Sequence, residues 1–394
     1  MRILMINVVC GIRSTGRICT DLATALENQG HEVKIAYGRE GVPQKFQKYA
    51  VKIGSALEVK LHGVKARLFD GCGWGSRKAT KRFVEWIKEY NPDVIHLHNL
   101  HGYYINLEVL FGYLRVCDKK IIWTLHDCWA FTGHSAYCDA INCERWITGC
   151  HDCPNVKMYP ASIIDRSHDN WTKKKTLMNG IPNLTVVTPS KWLAGFVKKS
   201  FLAQYTVFVV HNGIDTSQFY PLESRIRDQL EIGGRFMLLG VSTSWDEMKG
   251  FSDYLKLAEI MGDKYQVVLV GLTKQQKEKL PKNVIGIERT DSVKELAQFY
   301  STADLFLNLS YCENYPTVNL EAIACGTPVL TYNTGGSPES AGKDAIVVER
   351  GNLEEVARVL RRYRRYTPFV DRKEIDNDTT LNEYLFTIRE AYDK

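Results

Sequence analysis

The most constraining feature of the chain is a strand–loop–helix–strand pattern between residues 303 and 332. Residues 303–309 form a short apolar and aromatic run, as in a buried parallel strand. Residues 317–325 then carry apolar side chains at helical spacing, Gly326 suits the end of a helix, and a second apolar run begins at Pro328. Strands that are joined through a helix lie parallel in one sheet, so this unit predicts an α/β fold.

The same alternation runs through both halves of the chain, with a break near residues 212–222. The predicted strands are residues 2–9, 32–37, 93–98, 120–126, 184–190, 206–212, 235–241, 265–270, 283–287, 303–309 and 328–332. Helical patterns separate them, including residues 17–29, 78–90 and 317–325. This rhythm predicts two Rossmann-like, doubly wound parallel sheets, the first in residues 1–210 and the second in residues 211–378.

Length and composition agree with two globular domains. At 394 residues the chain is longer than one core usually serves. The net charge of +6 is mild, which favours anionic substrates or surfaces without indicating nucleic-acid binding. We find no apolar run near the roughly 20 residues of a membrane span and no convincing signal peptide. The eleven cysteines therefore predict reduced thiols or a metal site in a cytoplasmic protein.

Two carboxylates, Glu313 and Glu321, flank the start of the helix predicted after residue 316. A helix start exposes N–H groups and the positive end of the helix dipole, and Pro316 is tolerated there. Glu321 lies five residues beyond Pro316, or roughly 7.5 Å further along the helix axis. An anion held between two carboxylates suits a nucleotide sugar, because one carboxylate would bind sugar hydroxyls and the other ribose hydroxyls. Each glutamate taken alone could be a solvated surface residue.

The whole string from residue 310 to residue 329 resembles the Glu-x7-Glu signature of retaining GT-B glycosyltransferases of family 4. The resemblance covers nearly the whole chain and is strongest over residues 206–345. It implies two domains that face a central cleft, an acceptor-binding domain at residues 1–210 and a donor-binding domain at 211–378, with a C-terminal helix at 379–394 that packs back on the first. It further implies that Glu313 lies beside the donor sugar and Glu321 holds the ribose. The residues implied to cradle the diphosphate are Asn314, Tyr315, Pro316 and Thr317.

A second loop, residues 240–250, resembles the donor-phosphate loop Gly-Arg-x-x-x-x-Lys-Gly of the same family. Lys249 matches the lysine and would neutralise the departing diphosphate, and Ser244 is a further donor-binding candidate. The arginine of the pattern is absent, since Val241 or Ser242 stands in its place. The loop therefore lacks the second phosphate-binding cation of the pattern.

Two further segments are candidates for the donor side. The loop after the first strand, residues 10–17, could turn backbone N–H groups toward a phosphate, and Gly16 and Arg17 are its candidate residues. It is not the Gly-x-Gly-x-x-Gly fingerprint, which disfavours a nicotinamide enzyme, and a plain strand–helix turn is the alternative. Asn212 and Gly213, between the two domains, match the family pattern and are candidates to contact the donor.

Histidines follow two of the predicted strands. His96, His98 and His101 lie at a strand end where α/β sheets bind ligands, and His96 and His98 should point to one face. We do not expect a metal there, because no carboxylate or cysteine is near in sequence. The resemblance implies that His126 positions a donor hydroxyl or polarises the reaction centre, that Asp127 orients it or contacts the acceptor, and that His98 lies on the acceptor side. The alternative for His126 is a structural, hydrogen-bonded histidine.

Four cysteines form a separate group with metal-like spacing. Cys138, Cys143, Cys150 and Cys153 end in a Cys-x-x-Cys pair and could hold a closed, structural zinc ion. Four free or buried thiols are the alternative. For catalysis we expect no required cofactor, because the protein would supply the positive charge that a divalent ion otherwise gives.

The resemblance, together with these residues, implies a retaining glycosyltransferase. The expected donor is a UDP- or GDP-sugar, and the expected acceptor is a growing, lipid-linked glycan of a bacterial surface polysaccharide. Basic runs at residues 361–366 and 173–175 are ordinary solvated helix faces or else contacts to the inner face of a membrane. The alternatives are a sugar-phosphate or glucan synthase with a soluble acceptor, a catalytically silent nucleotide-sugar-binding homologue, and a redox or zinc regulator built on the cysteines.

Overall fold

The computed structural model describes residues 1–364, 366–368 and 370–392. The chain divides into two compact units. Unit 1 comprises Met1–Val210 and the C-terminal helix from Leu381 onward, and unit 2 comprises His211–Thr380.

Unit 1 is built on a seven-stranded parallel sheet with the order β3-β2-β1-β4-β5-β6-β7. Its strands are β1 (Arg2–Asn7), β2 (Glu32–Tyr37), β3 (Ala50–Lys52), β4 (Val94–Leu97), β5 (Lys120–Thr124), β6 (Leu184–Thr188) and β7 (Val207–Val209). Its helices are α1 (Arg13–Asn28), α2 (Ala56–Phe69), α3 (Arg77–Tyr90), α4 (Leu107–Leu114), α5 (Ser167–Met178) and α6 (Lys191–Lys199).

Unit 2 is built on a six-stranded parallel sheet with the order β10-β9-β8-β11-β12-β13. Its strands are β8 (Phe236–Val241), β9 (Tyr265–Val270), β10 (Val284–Ile287), β11 (Leu305–Asn308), β12 (Val329–Tyr332) and β13 (Ile346–Val348). Its helices are α7 (Ile226–Gln229), α8 (Phe251–Met261), α9 (Lys274–Lys277), α10 (Val293–Thr302), α11 (Thr317–Ala324), α12 (Ser337–Ser340) and α13 (Leu353–Arg362). The last helix, α14 (Asn377–Tyr392), begins in unit 2 and continues into unit 1.

Both sheets confirm the predicted α/β class. Their central strands show why the apolar pattern of the sequence was enough to predict them. β4, β11 and β12 are buried along their whole length, because helices cover both faces of the sheet. Such strands appear in sequence as continuous apolar runs. The two strands that the sequence did not predict, β3 and β13, are three-residue edge strands with partly exposed residues.

The first helix begins earlier than predicted, and this corrects the interpretation of Gly16 and Arg17. α1 starts at Arg13, because Gly11 turns the chain with a φ of +73° and donates its amide to the Gly16 carbonyl at 3.0 Å. Both predicted loop residues therefore lie on the helix. A Cβ on Gly16 would stand 3.0 Å from a Val9 methyl group, so this glycine permits close packing of the helix against the loop.

The described part of α14 contributes to the core of unit 1. Leu381, Tyr384 and Leu385 are buried with apolar side chains of β1, β2 and β5. The Tyr384 hydroxyl lies 3.2 Å from the Thr124 hydroxyl at the end of β5. Residues 393 and 394 of the predicted C-terminal helix lie outside the described residues. None of the helices in the described ranges is long and apolar enough to serve as a membrane span.

Gly250 lies where the loop after β8 comes closest to the chain after β11. It has a φ of +71° at the start of α8, and a Cβ placed on it would stand 2.1 Å from the Leu309 carbonyl oxygen after β11. The loop before Gly250 is also tied to the chain after β11, because the Tyr311 amide donates to the Met248 carbonyl at 2.8 Å. The loop after β8 and the chain after β11 are therefore held in direct backbone contact.

Replacing Gly250 with alanine should destabilise unit 2 strongly, because the new Cβ collides with the Leu309 backbone as well as straining a left-handed residue. Gly233 is the matched control, since it has a φ of +60° and its Cβ would meet no atom within 4 Å. We expect Gly233→Ala to cost about 1 kcal/mol, or roughly 2–4 °C in the midpoint of thermal unfolding. Gly250→Ala should cost about 3 kcal/mol or more. Equal midpoints for the two variants, measured by circular dichroism, would contradict this packing.

Candidate active site

The candidate donor site lies at the carboxyl edge of the unit 2 sheet. The chain builds β8, β9 and β10 toward one side and returns to build β11, β12 and β13 toward the other. The loops that follow the neighbouring strands β8 and β11 therefore leave in opposite directions and open a crevice between them. In parallel sheets of this kind, ligands bind at such a reversal of strand order.

The loop after β8 is fixed by its own side chains. The Asp246 carboxylate accepts the Lys249 amide at 3.0 Å and caps a short 3-10 turn over Glu247–Lys249. Trp245 is buried and donates its indole N–H to the Val270 carbonyl at 2.9 Å. Ser244 lies in the same loop, where its amide donates to the Ser242 hydroxyl at 3.3 Å. These contacts determine where the Lys249 side chain leaves the loop.

Lys249 and Glu313 form an ion pair across the crevice. The Lys249 Nζ atom lies 2.5 Å from Glu313 Oε1, although the two residues are 64 positions apart. Burial acts to lower the pKa of Lys249, but the Glu313 carboxylate outweighs it and the pKa is raised, so the ammonium stays charged. Only 13% of the Glu313 side chain is exposed, which excludes the alternative of a solvated loop residue.

The second carboxylate, Glu321, is held by a hydrogen bond from the neighbouring helix. Glu321 lies on α11 and is buried, and the Tyr300 hydroxyl of α10 donates to its Oε2 at 2.8 Å. A buried carboxylate is costly without such partners. The alternative of an exposed helix residue is therefore excluded for Glu321 as well.

The start of α11 lies between the two glutamates. Pro316 is the N-cap residue and Thr317 the first helical residue, and a proline side chain offers no oxygen to cap the helix amides. Asn314 and Tyr315 precede it in the loop after β11. The positive end of the α11 dipole therefore has no side-chain cap, and Pro316 lies one position before the first turn in which the sequence placed it.

A buried amide network, which the sequence interpretation missed, fixes α11 on the sheet. Asn308 at the end of β11 donates to the Asn319 side chain at 3.0 Å, and Asn319 donates to the Ser337 hydroxyl at 3.0 Å and the Ser340 hydroxyl at 2.9 Å. The Thr331 hydroxyl of β12 is 2.6 Å from the Ser337 hydroxyl. Polar residues at buried positions of otherwise apolar segments are the signal that could have revealed this network.

Asp253 is a second residue that the sequence interpretation missed. It lies on α8 and is buried, and it accepts hydrogen bonds from the hydroxyls of Tyr311 and Tyr332, both at 2.8 Å. Tyr311 belongs to the loop after β11 that carries Glu313. The carboxylate therefore ties this loop to α8 and β12.

The segment that opens unit 2 contacts the same loop. His211 stacks on Tyr315 with ring centroids 4.7 Å apart, and the Asn212 side chain donates to the Tyr315 carbonyl at 3.2 Å. Gly213 has a different surrounding, since its Cβ would stand 2.5 Å from the Thr380 hydroxyl. Asn212 thus lies against the predicted donor-binding loop, whereas Gly213 packs against the start of α14.

In unit 1 the histidines form a buried row at the carboxyl ends of β4 and β5. His96 and His98 share a face as predicted, with ring centroids 4.1 Å apart, and His98 Nδ1 lies 3.0 Å from His126 Nε2. Burial lowers the pKa of His126 to about 4 and that of His96 to about 3. Burial also lowers the pKa of His98. The three rings are therefore neutral near pH 7 and can serve as hydrogen-bonding groups.

Asp127 is oriented by groups on both sides. Its Oδ2 is 2.8 Å from His101 Nε2, its Oδ1 accepts the Trp129 amide at 2.8 Å, and His101 Nδ1 is 2.8 Å from the Tyr159 hydroxyl. Burial raises the pKa of Asp127, but His101 and the Trp129 amide outweigh it and lower the pKa. Asp127 therefore remains a carboxylate.

The four cysteines of the predicted zinc site are free thiols. Across residues 1–364, 366–368 and 370–392, no group of three or more His, Cys, Asp or Glu side chains is arranged to hold a metal ion. The Cys150 Sγ atom accepts the Gly133 amide at 3.2 Å, and burial raises the pKa of Cys150 to about 12 and that of Cys153 to about 11. The zinc site on Cys138, Cys143, Cys150 and Cys153 rests on the spacing of these cysteines alone and stays a prediction.

The basic run at residues 173–175 is not a solvated face throughout. Lys174 is buried and donates to the carbonyls of Trp129 at 2.7 Å and Thr132 at 3.0 Å. Burial lowers the pKa of Lys174 to about 8. In the run at 361–366, Arg365 lies outside the described residues.

Comparison with protein families agrees with this geometry. A model described as Glycosyltransferase Family 4 matches residues 15–218, and one described as Glycosyl transferases group 1 matches residues 223–365. The Escherichia coli strain K12 glycosyl transferase WcaC, named for colanic acid biosynthesis, is 26% identical in an alignment that covers 86% of this chain and 85% of WcaC.

Two solved structures resemble the whole chain. Sucrose-phosphate synthase from Thermosynechococcus elongatus has a TM-score of 0.71 at 16% identity and covers 99% of both chains. The Anabaena protein HepE in complex with UDP-glucose has a TM-score of 0.66 at 14% identity, over 99% of this chain and 100% of HepE. At such identities the likeness shows the fold, which is GT-B. Because the family 4 model alone matches more than half of the residues, this chain belongs to glycosyltransferase family 4 and is a glycosyltransferase.

Proposed function

We propose that the chain transfers a sugar from a nucleotide-diphosphate sugar to a hydroxyl of a growing, lipid-linked glycan in surface-polysaccharide biosynthesis, with retention of the anomeric configuration. The donor is a UDP- or GDP-sugar bound by unit 2, and the acceptor is bound by unit 1. The enzyme works in the cytoplasm at the inner face of the membrane, where lipid-linked acceptors reside.

The observation that carries this proposal is the Lys249–Glu313 ion pair beside the start of α11. The Lys249 ammonium stays charged, and its partner Glu313 precedes the first residue of α11 by four positions, in the loop at the strand-order reversal where α/β sheets bind ligands. A diphosphate bound there would meet the Lys249 ammonium and the amides of the first turn. Glu313 would then turn to the sugar, and Glu321, held by Tyr300, would bind the ribose hydroxyls.

The proposed reaction follows from where charge develops. As the bond from the anomeric carbon to the diphosphate oxygen breaks, negative charge grows on the leaving group and is stabilised by Lys249 and the α11 dipole. Positive charge grows on the sugar, where Glu313 stabilises it. The acceptor hydroxyl attacks from the face that the diphosphate leaves, and its proton passes to the departing phosphate oxygen. No metal ion takes part in this scheme.

In this proposal His126 contacts the donor sugar, and Asp127 contacts the acceptor. His126 is neutral, so it binds a donor hydroxyl by hydrogen bonding, and His98 fixes its ring orientation. Asp127 is ionised and accepts a hydrogen bond from an acceptor hydroxyl. Support for the substrate classes comes from relatives, since WcaC is named for a polysaccharide pathway and HepE was solved with UDP-glucose.

A transfer assay tests the proposal. The protein is incubated with single UDP- and GDP-sugars and either lipid-linked glycans or soluble sugar phosphates, and the anomeric configuration of the product is read by NMR. We expect transfer only to the lipid-linked acceptor, with the donor configuration retained. Transfer to a sugar phosphate would instead favour a soluble synthase, and an inverted product would exclude a retaining mechanism. Absence of transfer to any acceptor would indicate a catalytically silent protein.

Replacing Lys249 with glutamine should lower kcat by about 10²–10³, because the leaving diphosphate loses its main positive charge. Lys256→Gln is the matched control, since Lys256 is an exposed lysine on α8. Its kcat should stay at the wild-type value. Steady-state kinetics with a saturating acceptor measure kcat for both variants. A wild-type kcat for Lys249→Gln would show that Lys249 does not stabilise the leaving diphosphate.

The two glutamates should act on different ends of the donor. Glu321→Gln should weaken UDP binding by about tenfold, since a charge-assisted hydrogen bond to the ribose is lost. Glu313→Gln should leave UDP affinity unchanged or improved, because Lys249 no longer has a competing partner, yet it should abolish the extra affinity for the UDP-sugar. Calorimetric titrations with UDP and the UDP-sugar separate these effects. An equal loss of UDP binding in both variants would contradict a role of Glu313 in sugar binding and would indicate that Glu313 only positions Lys249.

A further inference from the structure

Helix α2 presents its apolar side chains to solvent. Leu57, Leu61, Val64 and Leu68 are 64%, 61%, 56% and 40% exposed, whereas the buried residues of this helix are His62 and Ala66. A surface helix of a globular protein normally buries its large apolar side chains and exposes its polar ones. The polarity of α2 is therefore reversed.

This orientation is fixed by hydrogen bonds. His62 Nδ1 lies 2.9 Å from the Ser76 hydroxyl, and its Nε2 accepts the amides of Gly73 at 3.2 Å and Gly75 at 3.1 Å. At the helix start, Ser55 and Glu58 form a capping box, and Arg82 donates to Glu58 at 2.9 Å. Rotating α2 to bury its leucines would break these contacts, so the exposed stripe is a stable feature of unit 1.

Four of the exposed apolar residues of α2 form one narrow stripe, and Phe69, which is 48% exposed, lies outside it. At 3.6 residues per turn, Leu57, Leu61, Val64 and Leu68 fall within an arc of about 60°. The stripe is extended by Ile163 and Ile164, which are 67% and 44% exposed, and the Ile163 amide donates to the carbonyl of Arg67 on α2 at 2.8 Å. We call these six residues the α2 stripe.

Basic side chains line both sides of the α2 stripe. By the same helical geometry, Lys60 and Arg67 flank it on one side and Lys65 on the other, and all three are exposed. Lys65 Nζ donates to the Trp74 carbonyl at 3.2 Å, and Lys173 of α5 lies 5.5 Å from the Trp74 ring centroid. The margin of the stripe thus carries four positive charges.

We infer that the α2 stripe docks unit 1 on an anionic lipid bilayer. An apolar stripe bordered by lysine and arginine fits the boundary between acyl chains and acidic headgroups, where apolar burial and charge attraction add. A second copy of this chain fits poorly, because it would bring the same positive margin against itself. The inference does not depend on the transfer reaction, since lipid binding needs neither donor nor acceptor.

Vesicle co-sedimentation of the full chain tests this inference. The wild-type protein should bind phosphatidylglycerol-containing vesicles, bind phosphatidylcholine vesicles much more weakly, and lose affinity as salt is raised. Leu57→Glu with Leu61→Glu should lower the partition coefficient by at least roughly tenfold, because the double variant loses apolar burial and adds like charge to the lipid. Lys60→Gln with Arg67→Gln should lower it by a similar factor.

Two controls keep the test specific. Val116→Glu changes another exposed apolar residue of unit 1, and Lys78→Gln with Lys81→Gln removes two exposed lysines from α3. Both should bind vesicles like the wild type, and all variants should keep the wild-type unfolding midpoint. Absence of wild-type binding to anionic vesicles would overturn the inference. A dimer in light scattering that Leu57→Glu with Leu61→Glu dissociates would assign the stripe to a second copy instead.

Discussion

The reversal of strand order between β8 and β11 is the constraint on which the candidate site depends. Two neighbouring parallel strands end at the same edge, and their loops diverge because the chain continues to opposite sides of the sheet. Gly250 lets the loop backbones touch, since any side chain there would meet the Leu309 carbonyl. Lys249 and Glu313 can pair only because this contact is so close. A local requirement for glycine thus determines the distance between the charged groups of the site.

Glu321, α11 and the loop that carries Glu313 are each held by a hydrogen-bonding partner. Tyr300 holds Glu321, the Asn308–Asn319–Ser337 network holds α11, and Asp253 holds the loop that carries Glu313. Buried polar groups are costly when unpaired, so such networks specify one arrangement of the loops. In the proposed function a diphosphate would meet loops that are already ordered, and only Glu313 would turn from Lys249 to the sugar; preorganised charge lowers the barrier for a leaving anion.

The sequence predicted the architecture well because buried parallel strands are continuous apolar runs and helix ends carry glycine. It placed Glu313 and Lys249 in the correct loops but did not predict that they pair, since 64 residues separate them and only the sheet brings them together. The predicted start of α1 was wrong, because the Gly11 amide donates to the Gly16 carbonyl and the helix begins four residues earlier than expected. The reversed polarity of α2 was missed for a related reason, because the buried partners of His62 are backbone and serine groups whose positions the pattern of apolar residues does not encode.

The central claim is that a donor diphosphate binds between Lys249 and the start of α11, with Glu313 and Glu321 on either side. A crystal structure of the chain with UDP measures this directly. We expect the β-phosphate within hydrogen-bonding distance of Lys249 Nζ and the Thr317 amide, and the ribose hydroxyls on the Glu321 carboxylate. A structure in which UDP is bound with its phosphates away from Lys249, or its ribose away from Glu321, would contradict the account.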